Sequence, residues 1–247
     1  MHLGLGFQSI LQKSALAAAR QAAGEVAFCY SVRMSKKHAQ RNPEVAIRRE
    51  YGRLAAVYDE RWPRYVRASA AQTLDRIHLA ESELLLDVAC GSGEVLQTLR
   101  RTYPSAGAVG IDISLEMLRV AKEKTVPDVP FTSGSAVALP FPSETFDVVV
   151  STSAFHYWHD PLPSLKELLR VLKPGGRLVI TDWCDDYLAC RICDLYLRLF
   201  SASHFKTYGK EELGRLLTAA HFEDVLVERY KISWLWGMMT AQARRPV

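Results

Sequence analysis

The feature that most constrains this chain is an apolar run that passes through an acid into a glycine-rich turn, Leu84-Leu85-Leu86-Asp87-Val88-Ala89-Cys90-Gly91-Ser92-Gly93. The first half reads as a buried parallel strand. The second half lets backbone approach a ligand closely, because a Cβ at Gly91 or Gly93 would block the ligand or the tight turn. The next predicted strand, over 108–112, ends in Asp112, where a carboxylate can accept both hydroxyls of a ribose. Gly-x-Gly alone says little, but strand, loop, helix, strand and acid in this order specify a nucleoside-bearing ligand.

Around that unit the alternation is regular. Val45, Ile47, Tyr51, Leu54, Val57 and Tyr58 recur at mostly three- and four-residue steps, so helix is predicted from Pro43 to about Leu79. Pro63 divides this cap in two. Further helices are predicted over 95–101, 114–124 with Ser114 as N-cap, and 162–172, with strands over 129–132, 146–151 and 177–181. Lys173-Pro174-Gly175-Gly176 reads as a helix stop followed by a turn. Helices over 187–200 and 210–220 precede two strands, 225–232 and 235–243, too close in sequence to be anything but an antiparallel hairpin. The expected fold is α/β: a Rossmann-like, doubly wound, mostly parallel sheet with a C-terminal antiparallel hairpin and an N-terminal helical cap. Residues 1–42 read as an extension, and 43–247 as one catalytic domain made of a cap (43–80), a cofactor-binding core (81–183), and lid helices with the hairpin (184–247).

Two cofactor classes use such a loop. A dinucleotide enzyme carries Gly-x-Gly-x-x-Gly and seats pyrophosphate on the helix N-terminus. Here Leu96 stands at the third glycine and Glu94 opens the helix. A carboxylate there repels pyrophosphate and tolerates a cation, and S-adenosylmethionine has no phosphate and carries a sulfonium. The motifs resemble those of class I S-adenosylmethionine-dependent methyltransferases. Leu86 to Gly93 is similar to the family's first motif, and Val109-Gly110-Ile111-Asp112-Ile113-Ser114 to its second. Ala138-Leu139-Pro140-Phe141 with Phe146-Asp147-Val148-Val149 resembles the fourth-strand region, and Arg170 to Leu178 the last motif. The resemblance covers about residues 50–182 and leans toward the type 11 subgroup, which includes ubiquinone and menaquinone C-methylation alongside O- and N-methylation. It implies that Asp87, Ala89, Gly91 and Gly93 line the methionine and ribose side, that Asp112 binds the ribose, and that Ile113 packs on adenine. Where family members often place an acid for the adenine amine, this chain has Ser135 and Ala136, which stay as cofactor contacts together with Ser151. Ala89 stands where the family commonly has glycine.

Methyl transfer from a sulfonium chiefly requires an acceptor held in line, and acceptor-side residues come from the loops after strand C-termini. After the fourth strand stands Ser151-Thr152-Ser153-Ala154-Phe155-His156-Tyr157-Trp158-His159-Asp160, without the Asn/Asp-Pro-Pro-aromatic motif of enzymes that methylate exocyclic amines. His156, His159 and Tyr157 are therefore the candidate catalytic residues, suited to an aromatic or quinone-like small molecule. The competing reading packs Tyr157 and Trp158 under the cap and leaves His159 and Asp160 to cap the next helix. No metal is expected: Cys184, Cys190, Cys193 and His204 could be drawn together, but Cys190 and Cys193 share a helical face on which cysteine usually packs as a small apolar group. Trp234, Trp236 and Met238 alternate at strand spacing and are expected to pack on the sheet.

Charge narrows the partners. Residues 1–67 hold 12 Lys and Arg against 5 Asp and Glu, and the remaining 19 against 22, so the net +4 belongs to the N-terminal segment. That argues against nucleic acid across the catalytic face and leaves open a basic arm in peripheral contact with a membrane. No apolar run approaches the length of a membrane span. Five cysteines, one of them inside the glycine-rich loop, do not form a secreted disulfide framework. A cytoplasmic protein is expected, or an organellar one if residues 1–33 are a transit peptide. The oligomeric state is left open. A ligand sensor or scaffold that keeps the methyltransferase fold is the alternative to an enzyme.

Overall fold

The structure, a computed structural model, describes residues 43–124, 129–201, 203–234 and 236–247. The N-terminal extension, and with it a transit peptide or basic arm, lies outside them. The described chain begins with the cap: α1 (Pro43–Leu54), a 3-10 turn (Ala55–Val57), α2 (Tyr58–Arg61) and α3 (Pro63–Leu74). Proline at the first position of α3 costs no intrahelical hydrogen bond, so Pro63 starts a helix where it would break one farther in. The continuous helix expected up to Pro63 is broken in addition at Ala55–Val57, and α3 ends at Leu74 rather than near Leu79.

The alternating unit follows as β1 (Leu84–Val88), α4 (Glu94–Thr102), β2 (Gly107–Asp112), α5 (Leu115–Lys124), β3 (Phe131–Ser133), β4 (Phe146–Thr152), α6 (Pro161–Val171), β5 (Leu172–Trp183), α7 (Leu188–Phe200), α8 (Lys210–Ala219), β6 (Glu223–Lys231) and β7 (Gly237–Arg244). The seven strands are ordered β3-β2-β1-β4-β5-β7-β6. The first five are parallel; β7 lies antiparallel between β5 and β6. β1 alternates its side chains between two cores, with Leu86 and Val88 on one face and Leu85 on the other, which is why the run is apolar at consecutive positions. Chain order reverses between β1 and β4, and the crevice beyond their carboxyl ends is where ligands bind in such sheets.

Three local expectations differ from the observed backbone. Lys173 to Gly176 form no turn outside the sheet: β5 already starts at Leu172, paired with Phe146, and the extra residues bulge before Arg177 pairs with Val148. Gly175, at φ 73°, takes the left-handed conformation that this bulge needs. Trp236 and Met238 are buried as expected, whereas Trp234 is 62% exposed on the hairpin turn, outside either strand. Ser114 does cap α5, accepting from Met117 N at 3.3 Å.

A hydroxyl ladder fastens the cap to the sheet. Thr73 of α3 bonds Thr152 and Thr181 at 2.8 Å each, and Thr181 bonds Thr240 at 3.0 Å. These buried groups satisfy one another, so α3 is held by directional bonds over the C-terminal ends of β4 and β5.

Candidate cofactor and acceptor site

The loop after β1 is set by its own hydrogen bonds. Cys90 N donates to Ile111 O at 3.0 Å and Gly93 N to Cys90 O at 2.9 Å. Ala89, Gly91 and Gly93 have φ of 60°, 52° and 80°. Left-handed backbone is free for the glycines and costs Ala89 on the order of 1–2 kcal/mol, so the loop keeps strain at the position where the family commonly has glycine. Asp112 then locks this loop onto β2: Oδ2 accepts from Gly91 N and Oδ1 from Ser114 N, both at 2.8 Å. A carboxylate oxygen has further lone pairs, so the same group can hold the loop and receive hydroxyls.

Two adjoining cavities of about 110 and 260 Å³ lie beyond these strand ends, sharing Ile47, Ala89, Asp112, Ile113, Ala154 and Tyr157. The first is bounded by Asp87, Gly91 and Glu94 on the sheet side and by Tyr51, Tyr58 and Tyr65 of the cap. The second is bounded by Ile113, Gly134, Ser135, Ala136, Trp158 and His159, with Glu44 of α1. Asp112 and Ile113 stand at their junction, Asp87 borders the first and Ser135 the second.

Asp87 is strongly perturbed. It is 1% exposed, and neither carboxylate oxygen has a partner among the described residues. Burial, then the neighbouring Asp112 charge, push its pKa up to about 8. An orphaned acid against a cavity is a receptor for a cation, and S-adenosylmethionine brings an ammonium and a sulfonium. Burial also raises Asp112, offset by its backbone hydrogen bonds. Glu94 contributes less to selectivity than its sequence position suggests, because Lys124 Nζ lies 3.5 Å from it and bonds Asp59 of α2. Among the described residues, the partnerless acid of the cavity is Asp87, which a cationic ligand would hold ionised and a pyrophosphate would not.

The other candidate residues divide. Tyr157 lines both cavities, its hydroxyl 2.7 Å from that of Tyr51. Burial raises both phenols well above their ordinary pKa, so they remain protonated donors. His159 borders only the second cavity, its ring 3.9 Å from that of Phe205. Asp160 beside it caps α6, accepting from Leu162 N at 3.3 Å. His156 is buried and lines neither cavity. Its Nδ1 lies 2.8 Å from Asp182 Oδ1, its ring stacks on Trp183 at 13°, and it packs 4.0 Å from the Tyr157 ring. The histidines therefore do not converge on the first cavity: a 3-10 turn, Phe155–Tyr157, sends successive side chains in different directions. Ser151 is buried within β4 and lines neither cavity. Gly93 shapes the turn without lining the cavities. Among the described residues no three or more of His, Cys, Asp and Glu are grouped to hold a metal ion, and Cys190 Sγ donates to Gly237 O at 3.3 Å.

Sequence reasoning missed the cap's part in the site. Ser135 Oγ donates to the Glu44 carboxylate, which brings an acid to the second cavity from 91 residues away. Ser92 Oγ donates to Asp59 at 2.6 Å, tying α2 to the glycine-rich loop. The only available signal was the run of tyrosines along the cap, at 51, 58 and 65, which helical periodicity assigns to core packing.

Comparison with known proteins agrees with this geometry. The family described as "Methyltransferase domain" matches residues 86–180. The demethylmenaquinone methyltransferase of Lactococcus lactis is 34% identical over 162 residues, 63% of either chain. That of Staphylococcus aureus is also 34% identical, over 59% of this chain and 70% of its own. The chain thus spans a little under two thirds of the Lactococcus protein. Human N-acetylserotonin methyltransferase, solved with S-adenosylmethionine, shares the fold at a TM-score of 0.64 and 19% identity, over 80% of this chain and 56% of that one. The cofactor is S-adenosylmethionine, and this chain belongs to the class I S-adenosylmethionine-dependent methyltransferase family.

Proposed function

We propose that the protein transfers the methyl group of S-adenosylmethionine to a small aromatic acceptor of the quinone type. The carrying observation is the first cavity, with a partnerless buried carboxylate, Asp87, on one side and the phenols Tyr51, Tyr58 and Tyr157 on the other. Asp87 holds the ammonium, Asp112 the ribose hydroxyls, and Ile113 packs on adenine, with Ala89 and Gly91 giving backbone approach. Ser135 and Glu44 together take the adenine amine, replacing the acid that family members carry after the third strand, and Ala136 completes that wall.

The cofactor supplies a methyl group already activated on a sulfonium sulfur, so the protein's task is alignment. Holding two reactants in line is worth roughly 7–11 kcal/mol in well-oriented cases. Tyr157, protonated and braced by Tyr51, donates to an acceptor oxygen and orients the ring. His156 acts through contact with the Tyr157 ring, fixed by Asp182, and is a positioning residue. His159 stays at the base-pocket end. That the similar bacterial proteins are demethylmenaquinone methyltransferases supports a quinone-like acceptor.

The test is to incubate the purified protein with S-adenosylmethionine and a panel of reduced demethylated quinones, monohydric phenols and amines, measuring S-adenosylhomocysteine and methylated product. Turnover confined to the quinols is expected. Turnover with amines alone would overturn the acceptor class. Cofactor binding with no turnover on any acceptor would favour a ligand sensor.

A further inference from the structure

Helix α7 turns an unusual face outward. Its inner face is conventional: Cys193 and Leu197 pack with Trp183, Trp236 and Met238. Leu197 also borders a small cavity with Glu50, Tyr157 and His204. The outer face holds Leu188, Ile192, Leu195, Leu199 and Phe200, each between 48% and 72% exposed. At 3.6 residues per turn the first four fall within an arc of about 60°, opposite the buried side. An apolar stripe this continuous on the outside of a helix marks a contact surface.

The charges around the stripe indicate what covers it. The remaining exposed residues of α7 are Arg191 and Arg198, on one flank of the stripe. They face Asp185 at 3.7 Å and Asp194 at 3.6 Å and keep more than half of their side chains exposed. Asp194, the helix's lone acid, is buried and bonded to His204. The outward face therefore carries apolar groups and cations with no carboxylate. The β6–β7 turn extends it: Lys231 Nζ lies 5.6 Å over the ring of Tyr187, the residue before α7, and donates to the carbonyl of the exposed Trp234. Leucine, isoleucine, phenylalanine and tryptophan flanked by basic residues is the composition of a helix that lies in a membrane interface. A two-fold dimer through the same face would add no further acid of α7 to the arginine flank, since its lone acid, Asp194, is buried.

We propose that α7 and the tip of the β6–β7 hairpin form a docking surface for an anionic lipid bilayer, with the helix lying in the interface plane and its inner face staying packed on Trp183, Trp236 and Met238. The test of this surface does not depend on the identity of the acceptor.

The experiment is flotation of the full-length protein with vesicles of phosphatidylcholine alone and of phosphatidylcholine with 30 mol% phosphatidylglycerol, a composition on the order of that found in anionic membranes. Wild type is expected to float with the anionic vesicles, and raising the salt to lower binding. The double variant Ile192→Ser, Leu195→Ser is expected to weaken partitioning by at least about tenfold, and Arg191→Glu by about fivefold or more. Affinity for S-adenosylmethionine, measured in parallel, reports that the variants are folded. No flotation of wild type, or flotation unchanged in the folded double variant, would overturn the proposal. So would sedimentation showing a stable dimer that the double variant dissociates, since the stripe would then be covered by a second copy.

Discussion

Replacing Asp87 with Asn should make the ligand-free protein more stable and a worse binder of its cofactor, with a pH dependence that identifies the cause. The carboxyl has no hydrogen-bond partner among the described residues and titrates near 8 in the fold, against about 3.9 in an unfolded chain. Its folded pKa is raised, so below about pH 4 both states are protonated and the group costs nothing. As pH rises toward 8 the unfolded state gives up the proton first, and stability is lost progressively. At about 1.36 kcal/mol per pH unit, the cost is roughly 1.5 kcal/mol at pH 5 and roughly 4 kcal/mol at pH 7, levelling above pH 8. Asparagine removes the titration and keeps the shape. The variant's gain over wild type in urea denaturation should therefore grow by about 2–3 kcal/mol between pH 5 and pH 7. Cofactor binding runs the other way: a cationic ligand holds Asp87 ionised, so wild-type affinity rises with pH up to about 8 and binding releases a proton, which calorimetry in two buffers of different ionisation enthalpy detects. The variant should show neither effect. Parallel stability profiles for the two proteins would refute the reasoning, because Asp87 would then be solvated and ionised in the free protein.

Three further outcomes are expected. Asp112→Ala removes the ribose acceptor and the lock on the Gly91 backbone, weakening S-adenosylmethionine by roughly 1–3 kcal/mol in titration calorimetry; unchanged affinity would take Asp112 out of the site. Tyr157→Phe should lower turnover about tenfold while leaving cofactor affinity within about twofold; equal losses in both would make Tyr157 structural. Gly110→Ala should destabilise by roughly 1–3 kcal/mol in thermal or urea denaturation, since its Cβ would sit 2.6 Å from Phe131 and 2.8 Å from Leu96.

What was legible in the sequence is whatever local pattern carries. Leu84 to Val88 had to be a strand buried on both faces, Gly91 and Gly93 had to turn it, and Asp112 had to end the next strand, because each property depends on residues within a few positions of one another. The parallel sheet, the terminal hairpin and the cofactor's nucleoside end follow from those units in order. Side-chain direction in irregular segments does not follow in the same way. His156, Tyr157 and His159 look equivalent in one loop, yet a 3-10 turn fixes the first on Asp182 and aims the second at both cavities, while the third, beyond the turn, borders only the second cavity. Contacts across long separations are also invisible in the sequence: Glu44 meets Ser135, Asp59 meets Ser92, and Tyr51 meets Tyr157 only after the cap closes over the strand ends. The outward stripe of α7 is written in the spacing of its leucines, but only packing of the opposite face against Trp183 and Met238 decides which side meets water. Sequence alone set the strand, the glycine turn and the acid that ends the next strand. Burial, which depends on every neighbour at once, left Asp87 without a partner among the described residues, and that is what the proposed cation-binding role rests on.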